Sequence, residues 1–180
     1  MKYNEKAVIM DKDAINRAIT RLSYEIIERY KGIDNVCVIG IRNKGVLLAQ
    51  RIYDQLKKIE NGNVLLGVID ITNFRDDKKD ETSEQKSETY LPFDVNNKKI
   101  ILVDDVLQTG RSVRAAIDAI MNFGRPESIS LAVLIDRGHR ELPIRADFVG
   151  KNVPTSKDEL VKVAMNDEDE KVFIFERENI

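Results

Sequence analysis

Two adjacent carboxylates, Asp104 and Asp105, follow a short apolar run and precede a segment that carries two hydroxyl side chains and a glycine. The apolar run, residues 100–103, is typical of a buried strand. Helical spacing begins where the segment 106–112 ends. Ligands of open α/β sheets bind at the carboxyl ends of strands, and the free N–H groups of a helix N-terminus suit a phosphate. The pattern therefore predicts a phosphate site beside two acids.

The two acids need a partner other than this phosphate, because carboxylates repel a phosphate. Ribose hydroxyls or a Mg²⁺ ion are natural partners for them, so a sugar phosphate fits both halves of the segment. Simpler interpretations stay open for each half taken alone. Either aspartate can cap the helix that follows, and Thr109-Gly110 can form an ordinary turn.

The elements around this segment alternate between helices and buried strands. Amphipathic helical spacing occurs at 11–30, 46–59 and 112–123. Buried-strand patterns occur at 36–41, 64–69, 99–103 and 128–135. A last strand is predicted at 172–175, with a partner strand around Val161 and Val163. The alternation predicts an α/β fold with a mostly parallel central sheet flanked by helices.

Composition limits the classes of protein to consider. The chain has 180 residues, of which 42% are hydrophobic and 33% charged, so one domain over 1–180 is expected and a wholly disordered chain is excluded. The net charge of −2 argues against a general nucleic-acid coat protein but allows a local basic face. With Cys37 and His139 as the single residues of their types, neither an internal disulfide nor a Cys/His zinc cluster can form. Any metal would be bound by oxygen atoms.

No apolar run is long enough to cross a bilayer, and no apolar core of a signal peptide follows the N-terminal residues. A cytoplasmic protein without a membrane partner is therefore expected. The charged stretch 75–90 is too polar to bury much surface, and it predicts a mobile lid loop. A disordered insertion is the alternative interpretation of this stretch.

Several segments of this chain resemble known proteins. The segment 100–112 closely resembles the phosphoribosyl-diphosphate-binding motif of the type I phosphoribosyltransferases, which have a Rossmann-like fold with a small hood. More specific similarity lies in Asp136-Arg137-Gly138-His139-Arg140 and the residues around it, 134–147 and 150–157, and in 69–72 and 74–77. These segments resemble the pyrimidine-operon attenuation regulators that are also uracil phosphoribosyltransferases. The resemblance extends from about Lys6 to the C-terminus.

The resemblance implies a role for each matching position. Asp104 and Asp105 would be the catalytic pair that holds the ribose hydroxyls. Arg42 and Asn43 would belong to the pyrophosphate loop, Arg137 would contact the base or nucleotide, and Val161 would pack against uracil. The residues implied to surround the 5′-phosphate are Val106, Leu107, Gln108, Thr109, Gly110, Arg111 and Ser112.

The implied reaction converts uracil and phosphoribosyl diphosphate, bound with Mg²⁺, to UMP and pyrophosphate, with no metal site built from protein side chains alone. The second implied activity is UMP-dependent binding of pyrimidine-operon messenger RNA, which promotes transcription attenuation. A basic face for this RNA would include Arg17, Arg21, Arg140 and Arg145. A homodimer or a higher homo-oligomer is also implied.

Three other functions remain alternatives at this stage. The first is a nucleotide-sensing RNA-binding regulator with negligible catalysis. The second is a purine phosphoribosyltransferase without an RNA role. The third and weakest is a phospho-receiver domain, in which paired acids after a strand hold Mg²⁺ beside a phosphorylated aspartate.

Overall fold

The computed structural model describes residues 3–76, 88–165 and 170–177. The strands of its larger sheet are β2 (Val36–Ile41), β3 (Leu65–Ile69), β4 (Lys99–Leu107), β5 (Ser128–Asp136) and β6 (Phe148–Asn152). These five strands are parallel and lie in the order β3-β2-β4-β5-β6. β4 is central, so groups at its carboxyl end have neighbours on both sides.

A smaller antiparallel sheet is formed by β1 (Tyr3–Met10), β7 (Glu159–Ala164) and β8 (Lys171–Arg177), with β8 in the middle. We call this sheet the hood. Its side chains Val161, Val163 and Val172 belong to the same hydrophobic core as residues of the large sheet. This shared core joins the hood to the large sheet, and one domain over 1–180 remains a prediction.

Helices cover both faces of the large sheet. Their bounds are α1 (Lys12–Tyr30), α2 (Gly45–Ile59) and α3 (Arg111–Met121). Buried residues of α1 and α2 share a core with Val36 and Val38, whereas those of α3 share a second core with Cys37 and Ile39. Successive residues of β2 therefore face opposite cores, and this explains why the whole strand is apolar.

The predicted α/β fold with a mostly parallel sheet is confirmed, and so are the three predicted helices and the strand pair near the C-terminus. Three features differ from expectation. β4 continues through the acid pair to Leu107, and two strands, β1 and β6, were not predicted. Most of β1 is exposed, and two of the five residues of β6 are exposed, so neither strand shows the apolar run of a buried strand.

The charged segment predicted to be a lid lies mostly outside the described residues, which stop at Asp76 and resume at Glu88. At the C-terminal end of this segment, Tyr90 exchanges two backbone hydrogen bonds with Val68, at 2.8 and 2.9 Å, along the edge of β3. None of the described helices has the length and apolar character of a membrane span.

Candidate functional site

The acid pair lies near the C-terminal end of β4, at the carboxyl edge of the sheet. Each carboxylate uses one oxygen to hold the strand end: Asp104 Oδ1 accepts from the backbone N–H of Asp105, and Asp105 Oδ1 accepts from that of Val106, both at 2.9 Å. Asp105 is only 9% exposed. The second oxygen of each carboxylate can accept from a hydroxyl or bind a cation, and that of Asp105 already faces the ammonium group of Lys44.

Burial raises the pKa of the Asp104 carboxyl well above its ordinary value, and the nearby charge of Asp105 raises this pKa further. The ammonium group of Lys44 acts in the opposite direction. A carboxyl with a raised pKa in a cleft is a typical functional residue. A ligand that supplies hydroxyl donors or a cation would stabilise its ionised form.

The segment after the acids turns sharply into α3. Gly110 has a φ of +91°, a left-handed conformation that suits glycine, and it occupies the position before the first helical residue. Thr109 Oγ1 accepts from the backbone N–H of Arg111 at 3.2 Å. A cavity of about 350 Å³ opens here. Its lining comprises Arg75, Asp104, Val106, Leu107, Gln108, Thr109, Gly110, Arg111, Ser112, Val113 and Glu141.

This cavity contains every residue that the sequence predicted around the 5′-phosphate. The side chain of Arg111 lies at its edge and bridges two acids: Nε donates to Glu141 and Nη1 to Asp76, both at 2.7 Å. Sequence patterns did not single out Glu141 or Asp76 as neighbours of the site, since both are remote from Arg111 along the chain.

The predicted pyrophosphate loop follows β2, the neighbour of β4. Its Arg42–Asn43 peptide is cis, and Arg42 forms an ion pair with Glu88. The next helix starts very close to β4, because a Cβ added at Gly45 would lie 2.4 Å from the carbonyl oxygen of Val103. Lys44, the residue after Asn43 in this loop, therefore reaches the acid pair, with Nζ 3.8 Å from Asp105 Oδ2.

Two other predicted site residues lie at the join between β5 and the hood. Arg137 is 3% exposed, and its guanidinium donates to Thr155 Oγ1 at 3.1 Å and to the carbonyl oxygens of Ser156 and Glu159 at 3.1 and 2.7 Å. Burial lowers the pKa of this guanidinium, an effect that Glu159 opposes. Val161 is 8% exposed and belongs to the shared core. Both residues hold the hood against the sheet, and their contacts with a base remain predictions.

The four arginines predicted to bind RNA have different surroundings. Arg21 donates to Glu25 and to the carbonyl oxygens of Val149 and Gly150, so it joins α1 to β6. Arg140 donates to the carbonyl oxygens of Ile144 and Gln108, the second of which belongs to the segment 106–112, here called the phosphate loop. Arg17 and Arg145 are exposed, and among the described residues neither has a side-chain hydrogen bond or ion pair. RNA binding by all four remains a prediction.

Comparison with known proteins finds one matching domain family and several similar relatives that share a name. The phosphoribosyl transferase domain family matches residues 8–168. A protein named bifunctional protein PyrR, from Ligilactobacillus salivarius strain UCC118, is 57% identical over 166 residues, covering 91% of this chain and 93% of the relative. Its namesake from Bacillus subtilis strain 168 is 51% identical over 180 residues, covering 97% and 99%.

Solved structures with the same fold are more distant in sequence. A hypoxanthine phosphoribosyltransferase of Trypanosoma cruzi aligns with a TM-score of 0.74 at 16% identity, covering 97% of this chain and 98% of that one. A hypoxanthine-guanine phosphoribosyltransferase of Bacillus anthracis aligns with a TM-score of 0.72 at 16% identity, covering 97% and 99%. At identities this low, the structural similarity establishes the fold but does not show which base is bound.

Proposed function

Since the chain belongs to the phosphoribosyl transferase domain family and, within it, to the bifunctional PyrR proteins, we propose two linked activities. It transfers the ribose 5-phosphate group from phosphoribosyl diphosphate to uracil, giving UMP and pyrophosphate. It also binds pyrimidine-operon messenger RNA when UMP is bound and so promotes transcription attenuation. The observation that carries the proposal is the cavity in which Asp104 meets the phosphate loop, with Lys44 of the neighbouring loop beside Asp105.

Different residues bind the three parts of phosphoribosyl diphosphate. The 5′-phosphate lies at the N-terminus of α3, where backbone N–H groups and about half a positive charge favour an anion. The second oxygens of Asp104 and Asp105 accept hydrogen bonds from the ribose hydroxyls. The pyrophosphate group lies toward Arg42, Asn43 and Lys44, whose cationic side chains offset its charge.

The chemistry needs orientation and charge stabilisation more than a nucleophile. As the bond between the ribose C1 and the pyrophosphate oxygen breaks, positive charge develops on the sugar and negative charge on the leaving group. Lys44 beside Asp105 places a cation where the negative charge grows. Alignment of two bound substrates removes on the order of 7–11 kcal/mol from such a barrier. Uracil N1 bonds to C1 as the pyrophosphate leaves, and the N1 proton passes to solvent water.

Phosphoribosyltransferases generally use Mg²⁺ together with phosphoribosyl diphosphate, and the site fits such an ion. The adjacent carboxylates of Asp104 and Asp105 offer hard oxygen donors of the kind that Mg²⁺ prefers. Asp104 and Asp105 would hold the ion together with the bound substrate. When bound, the ion neutralises charge on the leaving pyrophosphate.

RNA binding requires a basic surface outside this cavity. The exposed guanidinium of Arg17 and the partly exposed one of Arg21 lie one helical turn apart on α1, and Arg145 is exposed on the chain that leads to β6. A homodimer or higher oligomer would double this surface and with it the number of phosphate contacts. Messenger RNA and nucleotides meet in the cytoplasm, where we place the protein.

The test is UMP formation by purified protein given uracil, phosphoribosyl diphosphate and Mg²⁺. Parallel reactions contain guanine or hypoxanthine, and Asp104→Asn is the inactive control. Turnover with uracil that the substitution removes supports the transferase. Turnover with a purine alone would instead make the protein a purine phosphoribosyltransferase. No turnover with any base, combined with UMP-dependent RNA retention on a filter, would leave a nucleotide-sensing regulator.

A further inference from the structure

The guanidinium of Arg140 lies against the back of the phosphate loop. Nη1 donates to the carbonyl oxygen of Gln108 at 2.9 Å, and Nε donates to that of Ile144 at 2.9 Å. Nη2 forms an ion pair with Asp136 at the end of β5, which fixes the orientation of the planar fork. The side chain is less than a quarter exposed. The N–H groups of Arg140 therefore donate to acceptors within the protein, and little of the side chain is exposed for contact with RNA.

The carbonyl of Gln108 is one of three consecutive carbonyls held from the same side. The carbonyl oxygen of Leu107 accepts from the backbone N–H of Arg137 at 3.1 Å. That of Thr109 accepts from the N–H groups of Glu141 and Leu142 at 3.0 and 3.2 Å. The segment 137–142 thus fixes the direction of every peptide group between Leu107 and Gly110. Within this set, the bond to Gln108 is the one made by a side chain.

Peptide geometry converts these bonds into a phosphate site. In a planar trans peptide the C=O and the following N–H point in opposite directions. When the Gln108 and Thr109 carbonyls face the segment 137–142, the N–H groups of Thr109 and Gly110 face away from it. Both residues line the cavity, and neither N–H has an acceptor among the described residues. A phosphate oxygen in the cavity is the partner that these donors lack.

We propose that Arg140 is a positioning residue for the phosphate subsite, acting through the carbonyl of Gln108 and itself oriented by Asp136. This rests on the proposed function for the identity of the ligands, phosphoribosyl diphosphate and UMP. It assigns Arg140 to nucleotide binding, whereas the sequence resemblance implied a contact with RNA. Loss of RNA binding on substitution of Arg140 is then a consequence of weaker UMP binding.

The test uses the full chain in the absence of RNA. Arg140→Gln should raise the KM for phosphoribosyl diphosphate and the Kd for UMP, by calorimetry, about tenfold each, as expected for one charge-assisted hydrogen bond. The KM for uracil should stay within about twofold of the wild-type value, because uracil lies away from this loop. Asp136→Asn should give a smaller change of the same kind. The control is Arg125→Gln, an exposed arginine beyond α3, with no change expected.

Arg140→Lys separates positioning from general stability. It retains the charge and one donor for Gln108 but loses the fork, so its Kd for UMP should lie between those of the wild type and Arg140→Gln. This variant also serves if Arg140→Gln fails to fold. An unchanged Kd for UMP in a folded variant with weakened RNA binding would overturn the proposal and restore the RNA contact. If the wild type makes no UMP, calorimetry with ribose 5-phosphate tests the subsite independently of turnover.

Discussion

Lys44 Nζ lies 3.8 Å from Asp105 Oδ2, so the loop after β2 and the acid pair at the end of β4 form one charged site. The contact depends on the close approach of Gly45 to β4, which places the start of α2 beside the strand. An ammonium group in this position can contact a diphosphate and also stabilise the ionised form of the acids.

Removal of this ammonium group should shift the pH profile of catalysis. Lys44 lowers the pKa of Asp104, so in Lys44→Gln that pKa rises further. The ionised carboxylate then forms only at higher pH, and the acid limb of kcat/KM for phosphoribosyl diphosphate should move to higher pH. Lys58→Gln, an exposed lysine at the end of α2, is the control. Profiles that superimpose for the two variants would contradict the coupling.

Asp104→Asn should stabilise the protein without ligands while it abolishes turnover. The pKa of Asp104 is raised in the folded state, so the folded protein holds the proton more tightly than the unfolded chain. Wild-type stability from this group is therefore lost as pH rises from the unfolded pKa through the higher folded value. The asparagine variant lacks this loss. Its melting temperature should exceed the wild-type value near pH 8 by about 2–4 °C, the shift given by about 1 kcal/mol.

The same melting comparison near pH 4 should show a smaller difference, because the wild-type carboxyl is then protonated in the folded state and about half protonated in the unfolded chain. Asp54→Asn on the exposed side of α2 serves as the control for loss of one acid. A difference that does not depend on pH would mean that the gain has another origin.

Gly110→Ala should weaken binding at the phosphate loop. The residue has a φ of +91°, and an added Cβ would lie 3.3 Å from Ile144 Cβ, so the loop must shift away from the segment 137–144. Strain of about 1–2 kcal/mol is expected from the left-handed conformation alone. Gly32→Ala is a matched control with a φ of +126° far from the cavity. Both should melt earlier than the wild type, but only Gly110→Ala should raise the KM for phosphoribosyl diphosphate.

Arg17→Glu should weaken UMP-dependent RNA retention more than the same change of charge at a lysine outside the proposed basic face. The Arg17 guanidinium is exposed and has no described partner on the protein, so its substitution removes a phosphate contact without breaking the fold. One lost contact should reduce the slope of log K against log salt by about 1. Filter retention over a salt series measures this slope, with Lys58→Glu as the control. Equal slopes for the two variants would refute a role for this face of α1.

Cys37 should be inert in the folded protein and reactive on unfolding. It is fully buried in the sheet, and burial raises its pKa to about 11. Only about a thousandth of such a thiol is ionised near pH 8, and the thiolate is the reactive form. Labelling with a thiol reagent should therefore be slow in buffer and fast in urea. Fast labelling in buffer would show that β2 opens to solvent.

Local hydrophobic patterns in the sequence predicted the buried strands and helices correctly but not the exposed strands. The run 36–41 is apolar throughout because both of its faces meet hydrophobic cores, and it was correctly predicted as a strand. β1 was missed because its stability comes from pairing with β8, more than 160 residues away, and its side chains mostly face solvent.

The site was predictable where it is contiguous in sequence. The acid pair and the phosphate loop are one segment, and the structure places Asp104 and the loop around one cavity. The surroundings of Arg137 and Arg140 were not predictable, because their partners are mainly backbone carbonyls from other parts of the chain. Carbonyl groups are the same in every residue, so no sequence pattern marks them as acceptors.

The hood has a consequence for how the protein is made. β1 precedes its partner β8 by more than 160 residues, so the hood sheet cannot close until the chain has left the ribosome as far as Arg177. The five parallel strands are complete by Asn152 and can assemble earlier, since chains fold from the N-terminus as they emerge. A nascent chain paused between these two points would carry its phosphate loop and acid pair without the hood that Arg137 holds in place.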